Sequence, residues 1–243
     1  KKQSLQLEDM IRIGYNNVIC VEAGGPTPGL GCAGRGIITA LEKLKELGAY
    51  EVYKPDVVLY DVLGDVVCGG FSMPMRNGYA DKVFILTSGE NMAIHAAANI
   101  AMAVQNFKNR GYAGLGGLIL NRRDVPREEE KVEELADDFQ TAVIGTLSHS
   151  SQVVLSEEQQ KTLMECYPES EMAEEYRALA VQMYRICGGV LKDENDAVRD
   201  EYMHKCMDEH MDKYIDEHMD KYTDERMNEH INECMNGQTQ EDV

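Results

Sequence analysis

Apolar residues in this chain fall into short continuous blocks separated by longer stretches with helical spacing. Residues 57–60 (Val-Val-Leu-Tyr), 82–87 (Lys-Val-Phe-Ile-Leu-Thr), 117–120 and 141–146 are blocks of strand length. Rich in branched residues, they read as strands buried on both faces. Between them, Ile37, Ile38, Leu41, Leu44 and Leu47 share one helical face, and residues 90–109 form an Ala- and Met-rich helix. A charged helix over 127–139 and two more near 156–164 and 170–187 follow, while a short helix over 5–14 and a strand over 17–22 open the chain. Strands alternating with helices in this order predict an α/β fold with a doubly wound, mainly parallel sheet.

The block at 57–60 leads into Asp61-Val62-Leu63-Gly64-Asp65-Val66-Val67-Cys68-Gly69-Gly70-Phe71. Open α/β sheets bind ligands beyond the carboxyl ends of their strands, and here two acids and a glycine-backed thiol lie on one such segment. A second cysteine, Cys32, lies in residues 24–36, which hold six glycines and two prolines and so predict a loop. Glycines around a thiol let backbone N–H groups approach the sulfurs of a metal cluster. A four-iron cluster takes four thiolates, which a twofold dimer giving two per subunit would supply. The residues alone leave buried core cysteine as an equal reading, and an ordinary loop-capping role for Asp61 and Asp65. The other five cysteines lack this setting.

Composition narrows the picture. The net charge is -19, and residues 193–243 carry 17 acids and 5 bases of it. Such acidity argues against nucleic-acid and anionic-membrane partners. Seven cysteines with no scaffold spacing point to a reducing compartment. The start, Lys1-Lys2-Gln3-Ser4, has neither an initiator Met nor the apolar core of a signal peptide, and no apolar run is long enough to span a membrane. The expectation is a cytoplasmic chain that begins inside a longer one.

Two domains are expected: an α/β body over 1–189, and an acidic, Met-rich tail over 190–243. From Met203 to Met235 the tail repeats Met or Ile at every fourth position, with Thr223 as the one exception. Four residues overshoot one helical turn, so the stripe winds around the axis. A solvated tail, helical or disordered, is the expectation. Cys206, His210, His218, His230 and Cys234 form a second column of the same period. Tyr214, Tyr222 and Arg226 share that column, which favours repeat drift over a metal site.

The two cysteine segments, Gly24-Gly25-Pro26-Thr27-Pro28-Gly29-Leu30-Gly31-Cys32-Ala33-Gly34-Arg35-Gly36 and Tyr60-Asp61-Val62-Leu63-Gly64-Asp65-Val66-Val67-Cys68-Gly69-Gly70-Phe71, closely resemble the nitrogenase iron protein (dinitrogenase reductase) family. Ser88-Gly89-Glu90-Asn91-Met92-Ala93, Gly116-Gly117-Leu118-Ile119-Leu120-Asn121 and Glu175-Tyr176-Arg177-Ala178-Leu179-Ala180 add to the likeness, which covers about residues 5–187. The resemblance implies a homodimer of P-loop-type subunits sharing one 4Fe-4S cluster. Such a dimer takes electrons from a ferredoxin or flavodoxin and passes them to dinitrogenase, driven by MgATP hydrolysis. It further implies Cys32 and Cys68 as cluster ligands, Asp61 near the magnesium and phosphates, and Asp65 orienting the attacking water. Asn121 matches a position that contacts the base, with Glu157 as a further contributor. Arg35 matches an arginine that some relatives ADP-ribosylate on the partner-docking face, and Arg76 falls on the same face.

Three features depart from the family pattern. No G-x-x-x-x-G-K-[ST] segment occurs, so the expected sheet lacks its first strand and phosphate loop. Taken literally, such a chain binds MgATP poorly, because the amides and lysine that hold the phosphates are missing. Ser148-His149-Ser150-Ser151 stands where the family has Pro-Arg-Asp-Asn, and the tail has no counterpart. The alternatives are the reductase of a nitrogenase-like complex acting on a tetrapyrrole or other substrate, and a non-hydrolysing assembly protein or remnant.

Overall fold

A computed structural model of the chain describes residues 5–23, 33–62, 64, 74–75, 79–108 and 111–190. The chain divides into two units, Lys1–Gly189 and Val190–Val243. The expectations for the Met-rich tail fall outside the described residues.

At the centre lies a parallel sheet of three strands, β3 (Lys82–Thr87), β4 (Gly114–Asn121) and β5 (Val143–Leu147), in that order. Each crossover carries a helix: α4 (Asn91–Lys108) joins β3 to β4, and α5 (Glu128–Asp138) joins β4 to β5. Alternation along β4 sorts its side chains between two cores. Leu118 and Leu120 point to one side, where Ala97 and Ala101 of α4 and Val132, Leu135 and Ala136 of α5 close over them. Ile119 points to the other, where α7 (Leu163–Cys166) and α8 (Glu171–Ile186) bring Leu163, Met172, Ala173 and Leu179. Helices on both faces of a parallel sheet make the doubly wound α/β arrangement that the sequence predicts. Burying Leu118 and Leu120, 0% and 1% exposed, stabilises the fold by about 1.5–3 kcal/mol each.

Gly117 lets the strands close at this point. Its φ is 143°, and a Cβ there would meet Ile144 Cγ2 at 2.4 Å. The register between β4 and β5 shifts one residue later, between Leu118 and Ile119.

Several elements differ from the sequence-based expectation. The opening helix over 5–14 is instead one turn, α1 (Leu7–Met10), followed by strand β1 (Ile11–Ile13). β1 pairs antiparallel with β2 (Ile19–Val21), so the expected strand over 17–22 belongs to a separate hairpin. Its inward residues pack with the helix α2 (Ala33–Glu46): Leu7, Ile11, Leu44 and Ala49 form a small core of their own. Ala49 opens a short unpredicted helix, α3 (Ala49–Tyr53). The helix expected near 156–164 is two, α6 (Ser151–Glu158) and α7, because Thr162 and Glu165 form a capping box that restarts the chain.

The largest correction concerns residues 57–60. They form no strand, and Val57, Val58 and Leu59 are 54%, 42% and 76% exposed. A strand requires a hydrogen-bonding neighbour, and none of the described strands pairs with this run.

Candidate functional site at the carboxyl edge of the sheet

Strands β3, β4 and β5 all end on the same edge, at Thr87, Asn121 and Leu147. Three loops leave from there, and their polar groups are tied to one another. The loop after β4 is organised by Glu128, the first residue of α5, which is only 6% exposed. Its Oε2 accepts from the backbone N–H of Arg123 at 2.9 Å and of Val125 at 3.4 Å. Its Oε1 lies 3.3 Å from Arg122 Nε. That nitrogen is buried without a well-aligned acceptor, so the pair is held by charge. Arg122 also contacts the Glu129 carboxylate, and its backbone N–H donates to Leu147 O at 2.9 Å, joining the ends of β4 and β5.

The loop after β3 is packed tightly onto the start of α5 at Glu128. A Cβ on Gly89 would fall 2.2 Å from Glu128 Cβ and 2.6 Å from its Cα, so only glycine fits. Lys131 Nζ donates to Gly89 O at 2.9 Å and lies 3.4 Å from Asn91 Oδ1, anchoring the start of α4 to α5. Ser88 Oγ bonds the Glu90 carboxylate.

The loop after β5 is held from two sides. Glu175 of α8 receives Ser148 N–H at 2.7 Å and Ser148 Oγ at 2.6 Å. His149 Nδ1 lies 3.0 Å from Asp124 Oδ2 of the β4 loop, an exposed pair. Ser150 caps α6 by accepting from Gln152 N–H at 3.2 Å.

Among the residues singled out in the sequence, Asn121 is the last residue of β4, opposite Leu147, and half-buried. Its side chain has no hydrogen-bond partner among the described residues, leaving one donor and one acceptor group open at the sheet edge. Glu157 is exposed on α6. Its charge and that of Glu175 add to burial in raising the pKa of Tyr176 above the ordinary tyrosine value. Glu157, Glu175 and Tyr176 therefore form one acidic cluster behind the β5 loop. Asp61 is exposed, lies outside any helix or strand and makes no ion pair among the described residues. Arg35 lies in the first turn of α2. Cys32, Asp65, Cys68 and Arg76 lie outside the described residues, as does the side chain of Arg35.

Sequence reasoning missed Glu128. It opens a run of three acids, and nothing in the run distinguishes the buried carboxylate from its exposed neighbours. The described cysteines, Cys20, Cys166 and Cys187, are all free, and no group of three potential metal ligands occurs among the described residues. No described helix is long and apolar enough to cross a membrane.

The architecture defines the chain as an α/β protein with the fold of P-loop ATPases. It resembles the cell division ATPase MinD of Pyrococcus furiosus, with a TM-score of 0.54 at 17% identity over 75% of this chain and 72% of that one. It also resembles the septum site-determining protein MinD of Pyrococcus horikoshii, with a TM-score of 0.52 at 20% identity over 76% and 71%. Likeness at this identity shows the fold alone. The sequence goes further: the chain belongs to the family described as 4Fe-4S iron sulfur cluster binding proteins, NifH/frxC family, which matches residues 1–200. It is 45% identical over 180 residues to a nitrogenase iron protein of Methanococcus voltae, covering 74% of this chain and 65% of that protein. It is 44% identical over 184 residues to nitrogenase iron protein 2 of Methanothermococcus thermolithotrophicus, covering 76% and 63%. The chain thus spans slightly less than two thirds of these relatives.

Proposed function

We propose that the chain acts as an ATP-dependent electron-transfer reductase of the nitrogenase iron protein kind. The observation that carries this reading is the family match over residues 1–200, which contains both glycine-embedded cysteines. Cys32 and Cys68, each contributed by two copies of the chain, would hold one 4Fe-4S cluster between them. Thiolates suit iron, and the described cysteines, all free, belong to no group of three potential metal ligands among the described residues. A bound cluster supplies one-electron transfer to a catalytic partner, for which dinitrogenase is the reading the relatives favour.

On the nucleotide side, Asn121 would offer its amide to the base, with Glu157 and the Ser148–Glu175 clamp shaping the same end of the pocket. Asp61 and Asp65 would take the magnesium and water-orienting roles. Arg35 and Arg76 would lie on the docking face, with Arg35 open to ADP-ribosylation, and a ferredoxin or flavodoxin would donate the electrons in the cytoplasm.

Anaerobic reconstitution with iron and sulfide tests the reading. The expected result is a cluster-type absorption band, bleached by dithionite and abolished by Cys32→Ala or Cys68→Ala. A chain that stays iron-free, or both variants retaining the band, overturns it.

A further inference from the structure

The buried carboxylate of Glu128 is turned away from its own helix. An acid in the first turn of a helix ordinarily serves the unpaired N–H groups of that turn. Glu128 is the first residue of α5, yet its Oε2 accepts from the N–H groups of Arg123 and Val125, both upstream in the β4 loop. The residue before the helix, Arg127, caps it with no side-chain hydrogen bond. The exposed acids that follow, Glu129 and Glu130, pair with the side chains of Arg122 and Arg127. Only Glu128 gives its carboxylate to the loop backbone, and a charge 6% exposed requires such partners.

The loop that it holds is strained. Asp124 and Arg127 both have a φ of 57°, the left-handed region that non-glycine residues rarely occupy. Such conformations persist where the surroundings over-determine them. Here Arg123 and Val125 flank Asp124, so the two bonds to Glu128 fix the backbone on either side of it. Asp124 is thereby presented to His149 of the β5 loop. Arg122, the residue after Asn121, is fixed twice: its N–H bonds Leu147 O, and its Nε lies 3.3 Å from Glu128 Oε1. Gly89 of the β3 loop presses on the Cα and Cβ of Glu128 from the other side, and Lys131 Nζ holds that glycine by its carbonyl.

We infer that Glu128 is a positioning residue for nucleotide binding, a role that rests on the reading of Asn121 as a base contact. It touches no ligand itself. Acting through Arg122 and the strained 123–125 loop, it fixes the end of β4 so that Asn121 meets the base with its amide already oriented. Without the carboxylate the loop relaxes at Asp124, His149 is released, and binding has to reorder both loops.

Adenosine, which carries the base without phosphates, is titrated into the 243-residue chain while the Asn121 side-chain amide is followed by nuclear magnetic resonance. In the unaltered chain adenosine shifts that signal. Glu128→Ala weakens adenosine binding by about tenfold, the worth of one hydrogen bond to a charged group, and moves the His149 ring signals toward those of a free histidine. Glu128→Gln keeps an oxygen acceptor for the two N–H groups and recovers most of the loss. Glu128→Asp keeps the charge but withdraws the acceptor by one methylene, and weakens binding by about threefold. Val132→Ala, on the fully buried face of the same helix, lowers the melting temperature at least as much as Glu128→Ala and leaves affinity within about twofold. Affinity that merely follows stability across the variants overturns the inference, as does unchanged affinity in Glu128→Ala or, where that variant does not fold, in Glu128→Asp. In those cases a shifted Asn121 amide leaves the base contact standing. An amide that adenosine never shifts overturns the base contact and this role together.

Discussion

Leu118-Ile119-Leu120 and Val57-Val58-Leu59 are nearly interchangeable as sequences, yet their fates differ. The first is the middle of β4, with strands on both sides, helices on both faces, and exposures of 0%, 5% and 1%. The second lies in no helix or strand, pairs with none of the described strands and is largely exposed. Apolar β-branched composition therefore states what a segment can bury, not that it is buried. A parallel strand acquires its structure from neighbours distant in sequence, because its hydrogen bonds are all non-local.

The strongest way to break this comparison is to truncate both runs. Leu118→Ala should cost about 2–5 kcal/mol in urea unfolding, because a fully buried leucine leaves a cavity. Leu59→Ala, at a position 76% exposed, should stay within about 0.5 kcal/mol. Equal losses would show that residues 57–60 are already packed. Gly89→Ala comes next. The added methyl must push α5 away from the β3 loop, and an overpacked site of this kind typically loses about 1–3 kcal/mol. Smaller again is Glu175→Ala, which removes both acceptors of Ser148 and should lower stability by about 1–2 kcal/mol. Ser148→Ala in the same background should then add almost nothing, the mark of a direct pair.

The smallest effect sharpens the acidic cluster at the sheet edge. Burial, followed by the charges of Glu157 and Glu175, holds the Tyr176 pKa above its ordinary value. A tyrosine whose folded pKa is raised favours folding fully below its unfolded pKa, and this contribution is lost as pH rises through the folded pKa. Glu157→Gln should bring the Tyr176 phenolate transition, followed by ultraviolet absorbance, down toward the ordinary value. An unmoved transition would separate Glu157 from Tyr176 and remove it from the pocket.

Much of the fold was legible because it is local in pattern. The bounds of β3 coincide with its apolar block, and α4 follows its Ala-rich run to within a residue or two. Thr162-x-x-Glu165 is a capping box readable in the sequence, although the apolar spacing over 156–164 masks the break it makes. Ile11 and Ile13 alternate with Arg12, a period-two signal too short to outweigh the helical spacing around it. At the site, Asn121 was visible as a strand end. The Ser148–Glu175 clamp and the His149–Asp124 pair join segments far apart in the chain, which no local pattern encodes, and the Glu128 carboxylate, though its partners are near in sequence, is not marked out from the two acids that follow it.

The central claim is that two copies of this chain enclose one cluster through Cys32 and Cys68. Native mass spectrometry of the anaerobically reconstituted protein weighs that claim directly. The account predicts a species of two chains plus one 4Fe-4S unit that falls apart to bare single chains when the iron is chelated. A cluster carried by a single chain, or a dimer whose mass is unchanged by iron, would contradict it.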